Sequence, residues 1–335
     1  MIPEKMRSSI GSDIPCISII TSAYNGENSL RQCIDSVRSQ TFTSWEHIII
    51  DDGSKDGSRR LAENSALEDS RLRVFFQPHR GAPHARNRGA RTTNVGSQYF
   101  LFLDQEDCLK PDALQRLYNY LEASPKASAA FGGAIWQDDD VPIAIPPVRL
   151  QAIPGGVTLS QTEKLQFAHV IAACPISAPG QCLIRRDAFF RVGGFDSSLA
   201  PCDDWELYLR LTALGTIDRI GASTLDWRKL GENDIGSKQK IRDARALLFR
   251  RWMHSNNASP EQRLLARASF AYAMYGGEAD ACRGWALSAA ADGNWRYATF
   301  NLLRAIRLEL AALPVRVEAW IASIRPDSED ALAAT

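Results

Sequence analysis

The sequence predicts an α/β protein with a mainly parallel sheet flanked by helices and a C-terminal helical appendage. Three observations carry that reading. Short apolar runs alternate with amphipathic helical spacing from about residue 15 to 125. Two of those runs end abruptly in acidic clusters. From about Lys238 onward the chain becomes Ala- and Leu-rich with a helical period. Strands alternating with helices favour a parallel sheet covered on both faces. Such sheets bind ligands at the carboxyl ends of their strands, where the acids fall.

The elements follow in order. Residues 16–20, behind Pro15, form a β-rich apolar run that reads as a buried strand. Leu30, Cys33, Ile34 and Val37 have helical spacing within 28–40, with Asn28 or Ser29 as the cap. A second strand at 47–50 runs into Asp51-Asp52-Gly53-Ser54. A helix at 58–66, a strand at 72–76 and a helix at 83–94 come next. A fourth strand at 99–103 again ends in acids, and a helix at 112–122 stands behind Pro111. Residues 138–160 are rich in Asp, Pro and Gly and read as a long loop or lid. Residues 164–237 mix short strands and helices. Helical periods recur at 244–252, 260–275, 281–291 and 295–313. The expected division is a catalytic domain at 14–237, a helical region at 238–326 and a frayed tail at 327–335.

Composition bounds the function. Thirty-nine Lys plus Arg balance thirty-nine Asp plus Glu, so no basic surplus points to nucleic acid. The seven cysteines are odd in number and form no CxxC pair, which argues for reduced thiols over structural zinc. Residues 1–14 lack an apolar segment of secretory type, and no run of about 18 apolar residues occurs. A cytoplasmic protein is expected.

Four constellations carry chemistry. Asp51 and Asp52 stand at a strand end, where carboxylates can accept hydrogen bonds from a base or ribose. The bland alternative is a solvated Asp-Gly turn. Asp104-Gln105-Glu106-Asp107 follows an apolar strand and suits a hard divalent cation bridging to a diphosphate. The alternative is an acidic helix start. Arg86 and Arg88 are candidates for phosphate contact, or a cationic helix face. Asp203-Asp204-Trp205 opens an amphipathic helix. One of its acids could serve as a general base tuned by the other, Trp205 could stack on a sugar, or the acids could simply cap the helix.

Together these segments resemble the family-two glycosyltransferases, which have the A-type glycosyltransferase fold. The resemblance runs over 14–237. Ile17-Ser18-Ile19-Ile20-Thr21-Ser22-Ala23-Tyr24-Asn25 is similar to their opening strand and nucleotide loop. Asp51-Asp52-Gly53-Ser54 is similar to their uridine-contacting acids. Ala85-Arg86-Asn87 with Gly89 resembles their Ala-Arg-Asn-x-Gly segment. Leu103-Asp104-Gln105-Glu106-Asp107 with Pro111 resembles their Asp-x-Asp metal motif. Gly193-Gly194-Phe195-Asp196 followed by Asp203-Asp204-Trp205 resembles the acceptor-side segment with the catalytic base. The sequence departs from the family pattern in Glu106, where Asp is usual, in Asp203, where Glu is commoner, and in His79, where Asn is frequent. A His often found near Leu230 is absent.

The resemblance implies an inverting transfer from a nucleotide-sugar donor, with UDP first among the nucleotides and dTDP or GDP as alternatives, and a divalent metal, Mn2+ or Mg2+. Thr21, Tyr24, Asp51 and Asp52 would bind the nucleoside and Arg86 the diphosphate. Asp104 and Glu106 would organise the metal, with Asp104 also on the donor. Asp204 would be the base and Asp203 its tuning partner, with Trp205 on the acceptor side. The implied acceptor is a glycan or lipid-linked hydroxyl in envelope or exopolysaccharide synthesis. Outside the resemblance, Arg304, Arg307, Arg316 and Arg325 interleave with Leu302, Leu303, Ile306, Leu308, Leu310, Leu313 and Trp320. That pattern suggests peripheral association with the inner membrane face. The competing functions are a catalytically silent sugar-nucleotide or glycan-binding protein and a nucleotidyltransferase. The latter is disfavoured because no Gly-rich, Lys-containing phosphate loop lies near the N-terminus.

Overall fold

The computed structural model describes residues 14–138, 141–144, 164–172, 174–228 and 238–271, together with Thr299 and Leu303. The chain forms two compact units. One comprises residues 1–147, 162–166 and 175–235, the other 148–161, 167–174 and 236–335.

The first unit is built on β1 (Ile17–Ala23), α1 (Leu30–Arg38), β2 (Trp45–Asp51), α2 (Ser58–Glu68), β3 (Leu72–Phe76), α3 (Ala82–Thr92) and β4 (Tyr99–Asp104). It continues with β5 (Cys108–Leu109), α4 (Ala113–Ala123), β6 (Ala127–Asp138), β7 (Val141–Ala144) and β8 (Lys164–Leu165). The strands run in the order β3-β2-β1-β4-β9-β6-β10-β5, where β9 is Cys182–Arg185 and β10 is Thr216–Arg228. Helices α6 (Arg186–Arg191) and α7 (Asp203–Leu211) lie between β9 and β10 in sequence.

β1 reads as a nearly continuous apolar run because helices cover both faces of the sheet. Ile17, Ile19 and Ala23 join one buried cluster with Leu30, Cys33, Ile34 and Val37 of α1. On the other face Gly89 of α3 comes so close to the sheet that a Cβ there would stand 2.4 Å from the Ile20 side chain. Only glycine permits that approach. The expected side-chain cap on α1 is not formed. Ser29 occupies the cap position without a side-chain bond to the helix N–H groups.

The strand register positions the site. Parallel pairing sets Ala23 opposite Asp51 and Ser22 opposite Asp104. Asp51 in turn lies opposite Phe76 of β3. The carboxyl ends of four strands therefore form one rank, in the order β3, β2, β1, β4. Beyond β4 the sheet is mixed: β9 runs antiparallel to both β4 and β6, whereas β6 and β10 are parallel. The short run Cys182-Leu183-Ile184-Arg185 carries no direction in its composition, so the antiparallel insertion is invisible to periodicity. The long-loop reading of 138–160 is corrected at its start, where Val141–Ala144 pairs back antiparallel onto β6. Pro142 is accommodated there on an edge strand. The remainder of that segment lies outside the described residues.

In the second unit, α5 (Phe167–Ala172), α8 (Lys238–Met253) and α9 (Pro260–Ala271) are described. Leu248, Phe249 and Ala266 are fully buried, and the Phe167 and Trp252 rings pack with centroids 4.8 Å apart. α9 starts with a reciprocal cap: Gln262 N–H donates to Ser259 Oγ at 3.1 Å, and Ser259 N–H donates to Gln262 Oε1 at 2.9 Å. Pro260 sits where its missing N–H is harmless. The expected helices at 281–291 and 295–313, the tail at 327–335, and the arginine-rich stripe around 302–325 lie outside the described residues apart from Thr299 and Leu303. Among the described residues no helix is long and apolar enough to cross a membrane.

Candidate active site

Each residue of the Ala-Arg-Asn-x-Gly segment has a separate physical task on α3. Ala85 is fully buried. Asn87 clasps the Phe195 peptide with both ends of its amide, donating to Phe195 O at 2.8 Å and accepting from Phe195 N–H at 2.9 Å. This anchors the Gly193-Gly194 turn, whose glycines have φ of 91° and 75°, conformations that other residues rarely adopt. Gly89 supplies the close approach to β1 described above.

Arg86 gathers the acids. Its guanidinium is 7% exposed. Nη2 donates to Asp104 Oδ1 at 2.5 Å, and Nη1 donates to Asp203 Oδ2 at 3.3 Å. The Phe195 ring lies 5.4 Å away on the same guanidinium. Burial opposes its charge, but Asp104 and Asp203, with Asp204 beyond, raise its pKa on balance. One fork-shaped cation thus ties the end of β4 to the start of α7, a task the planar guanidinium does and an ammonium cannot.

Asp203 and Asp204 occupy the first turn of α7. Burial pushes the Asp203 carboxyl up, with Arg86 pulling the other way. Burial, and then the Asp203 charge, push Asp204 up to about 7, again against Arg86. Asp204 Oδ1 also accepts from the Trp205 N–H at 2.6 Å. A carboxylate that takes a proton near neutrality is what a general base needs.

The residues expected to meet a nucleoside divide more unevenly. Asp52 is 1% exposed and organises the loop after β3. It accepts from Gln77 Nε2 at 2.6 Å, from Arg80 N–H at 3.0 Å and from Gly81 N–H at 2.8 Å. Asp51 serves the turn, accepting from Ser54 N–H at 3.1 Å. Tyr24 is 39% exposed. Two of the expected residues have buried side chains. Thr21 is wholly buried with its hydroxyl 2.9 Å from His47 Nε2, so its side chain is not available to a nucleoside. It shares strand parity with Ile17 and Ile19, which face α1. Trp205 is 8% exposed, on the largely buried first turn of α7.

Sequence reasoning passed over Gln105. Its amide accepts from Tyr24 N–H at 2.8 Å and donates to Tyr24 O at 3.1 Å, locking the β1 loop to the acidic segment. The same side chain fills the space above Gly26, where a Cβ would stand 2.2 Å from its Oε1. The signal available beforehand was only its position between two acids. Replacement Gln105→Ala is expected to raise the KM for a nucleotide donor by up to about thirtyfold, at about 1 kcal/mol for each of the two lost hydrogen bonds. kcat should change little, as steady-state kinetics on the two proteins will show.

The donor types for a hard cation are present in Asp104 and Glu106. Among the described residues no three His, Cys, Asp or Glu side chains form a ready-made cage. Mg2+-type sites take one or two carboxylates and complete their shell with substrate phosphates and water. Asp107 lies beneath, fully buried, with Oδ1 accepting from Arg228 N–H at 3.2 Å and Oδ2 unpartnered. Burial, then Asp104 and Glu106, hold its carboxyl well above the usual range.

Comparison with known proteins identifies the family. Residues 18–192 match the profile of glycosyl transferase family 2. The chain is 26% identical over 197 residues to an uncharacterized glycosyltransferase of Haemophilus influenzae, covering 58% of this chain and 61% of that protein. It is 35% identical over 159 residues to the uncharacterized glycosyltransferase EpsJ of Bacillus subtilis, covering 47% and 44%. It is 30% identical over 130 residues to the putative teichuronic acid biosynthesis glycosyltransferase TuaG of Bacillus subtilis, covering 38% and 51%. These matches therefore span less than two thirds of each relative. In fold, the chain is similar to S. aureus TarS 1-349 in complex with UDP-GlcNAc, with a TM-score of 0.63 at 13% identity over 91% of this chain and 89% of that one. It is also similar to the mannosyltransferase PcManGT of Pyrobaculum calidifontis in complex with GDP-Man and Mn2+, with a TM-score of 0.57 at 17% identity over 92% and 87%. With more than half of its length matched and the α/β fold of these transferases, the chain belongs to glycosyl transferase family 2.

Proposed function

We propose that this protein transfers a sugar from a nucleotide-sugar donor, a UDP-sugar first among the candidates, to an acceptor hydroxyl with inversion in a single displacement. The observation that carries the proposal is Arg86, which brings Asp104 and Asp203 onto one guanidinium with Asp204 beside them. Asp204 takes the proton of the attacking hydroxyl, and Asp203 with Arg86 sets its proton affinity. Asp52 and Tyr24 receive the nucleoside. Asp104 and Glu106 would hold a divalent cation, which supplies charge neutralisation for the departing diphosphate. PcManGT with Mn2+ and TarS with UDP-GlcNAc support the cation and the donor class. A glycan or lipid-linked acceptor of the cell envelope is the proposed partner, in keeping with the relative named for teichuronic acid biosynthesis.

The test is calorimetric titration with UDP, dTDP and GDP, with and without Mn2+, on wild type and Asp104→Ala. One nucleotide should bind in a metal-dependent manner, and Asp104→Ala should weaken it by at least about tenfold, the loss expected for one partner of a charged contact. Absence of binding by every nucleotide in both conditions would sink the donor-site assignment. Binding without transfer to any candidate acceptor would favour a silent binding protein.

A further inference from the structure

The carboxylate of Asp52 is saturated. A carboxylate has two oxygens and about four lone-pair sites. Gln77 Nε2 and the Arg80 N–H take Oδ1, and the Gly81 N–H takes Oδ2. The fourth donor is His79, whose Nδ1 lies 2.9 Å from Asp52 Oδ2 and 3.1 Å from the Asp52 carbonyl oxygen. Both neighbours are acceptors, so Nδ1 carries the hydrogen. The His79 ring also stacks on Tyr24, with centroids 4.0 Å apart and planes 29° from parallel.

These are the two contacts that a nucleobase would make in the proposed donor site: a flat ring on Tyr24 and an N–H aimed at Asp52. Both rings are open to solvent, the His79 side chain at 53% and Tyr24 at 39%. Two of the other three donors are held more firmly. Arg80 and Gly81 donate from the backbone, and a Cβ on Gly53 would stand 2.9 Å from His79 N, so the loop backbone fits closely over the Asp-Gly turn. Tyr24 is fixed from behind by Gln105. His79 alone combines a side-chain donor, a stacked ring and a free path into water.

We propose that the His79 imidazole occupies the nucleobase position in the free protein, and that a nucleotide binds by displacing it from Tyr24 and Asp52. The inference rests on the donor-site reading given above and adds a built-in competitor to it. A base with an N–H edge, such as uracil or guanine, repeats the imidazole's hydrogen bond and stack. Every binding event then first breaks a contact within the protein, and apparent affinity falls by the fraction of molecules in the open state.

The experiment compares wild type, His79→Ala and His79→Phe by calorimetry with UDP, dTDP, GDP and inorganic diphosphate in the presence of Mn2+. His79→Ala should bind the preferred nucleotide about three- to tenfold more tightly, the worth of one exposed hydrogen bond and stack. Inorganic diphosphate, which has no base, should bind both proteins equally. His79→Phe keeps a ring on Tyr24 but donates nothing to Asp52, so its gain should be smaller than that of His79→Ala. Nucleotide affinity in His79→Ala equal to or weaker than wild type would overturn the inference while leaving the donor site standing, because it would make His79 a bystander or a fixed wall. An equal gain for inorganic diphosphate would overturn it too. Failure of wild type and variant alike to bind any of the three nucleotides would remove the donor-site reading itself.

Discussion

Asp204→Asn is expected to lower kcat by about 10²–10⁴-fold, the usual contribution of a positioned general base, while the Kd for the donor nucleotide stays close to that of wild type. The variant keeps shape and hydrogen-bonding capacity but cannot take the acceptor proton. Transfer at the wild-type rate would reassign the base, with Asp203 next in line. The pH dependence provides a second reading of the same residue. The base works only when ionised, and its carboxyl is raised to about 7. Wild-type kcat/KM should therefore rise with pH through about 7 and level off above it. Stability runs in the opposite sense. A carboxyl whose pKa is raised on folding favours the folded state fully below its ordinary value of 3.8, and that contribution is lost as pH rises through about 7. Asp204→Asn carries no such loss. The variant should melt higher than wild type at pH 8, and the difference should shrink as pH falls toward 4. A variant that is more stable and inactive fits a residue kept for chemistry at a cost to folding.

Arg86→Ala should be the most damaging single replacement in the site. It leaves Asp104 and Asp203 without their cation in a place where Asp203 is nearly inaccessible to water. Removing one partner of a buried ion pair costs about 3–5 kcal/mol. Asp104 is 23% exposed, so water relieves part of that, and the lower end applies. For a unit of this size, about 3 kcal/mol corresponds to a fall in melting temperature of about 6–12 °C. Arg86→Lys should recover part of the stability and little of the activity, because a point charge cannot bridge two carboxylates. In a folded Arg86→Ala variant the rise of kcat/KM with pH should move above about 7, since the guanidinium charge is the largest of the effects that pull the Asp204 carboxyl down. An unshifted profile would separate Arg86 from the base and leave it a purely structural tie. Thermal melts and pH profiles on the two variants decide between these roles.

Much of this site was legible along the chain, for local reasons. Short apolar runs and period-3.6 spacing located β1 to β4 and the helices between them, and acids directly after apolar strands located the carboxyl edge. The burial of Thr21 was legible in its strand parity with Ile17 and Ile19. The burial of Trp205 was not, because the first turn of an amphipathic helix reads equally well inward or outward. Gln105 had no local signal at all: a glutamine between two acids could point anywhere, and only the proximity of the β1 loop gives its amide the Tyr24 peptide to hold.

The sequence by itself determined which chemical groups stand at strand ends, since strand identity and termination depend on neighbouring residues. It did not determine who meets whom. Arg86 lies 18 residues from Asp104 and 117 from Asp203, and Asn87 lies 108 from the peptide it clasps. Contacts at those separations exist only once the strand order is set, with β1 between β2 and β4 and α3 packed over β1 through Gly89. Proton affinity was decided at the same level. Asp204 and Asp104 are both aspartates beside other acids, and water exclusion around α7, with Asp203 adjacent, is what raises Asp204 toward neutrality. Desolvation belongs to the assembled packing, and no order of residues along a chain contains it.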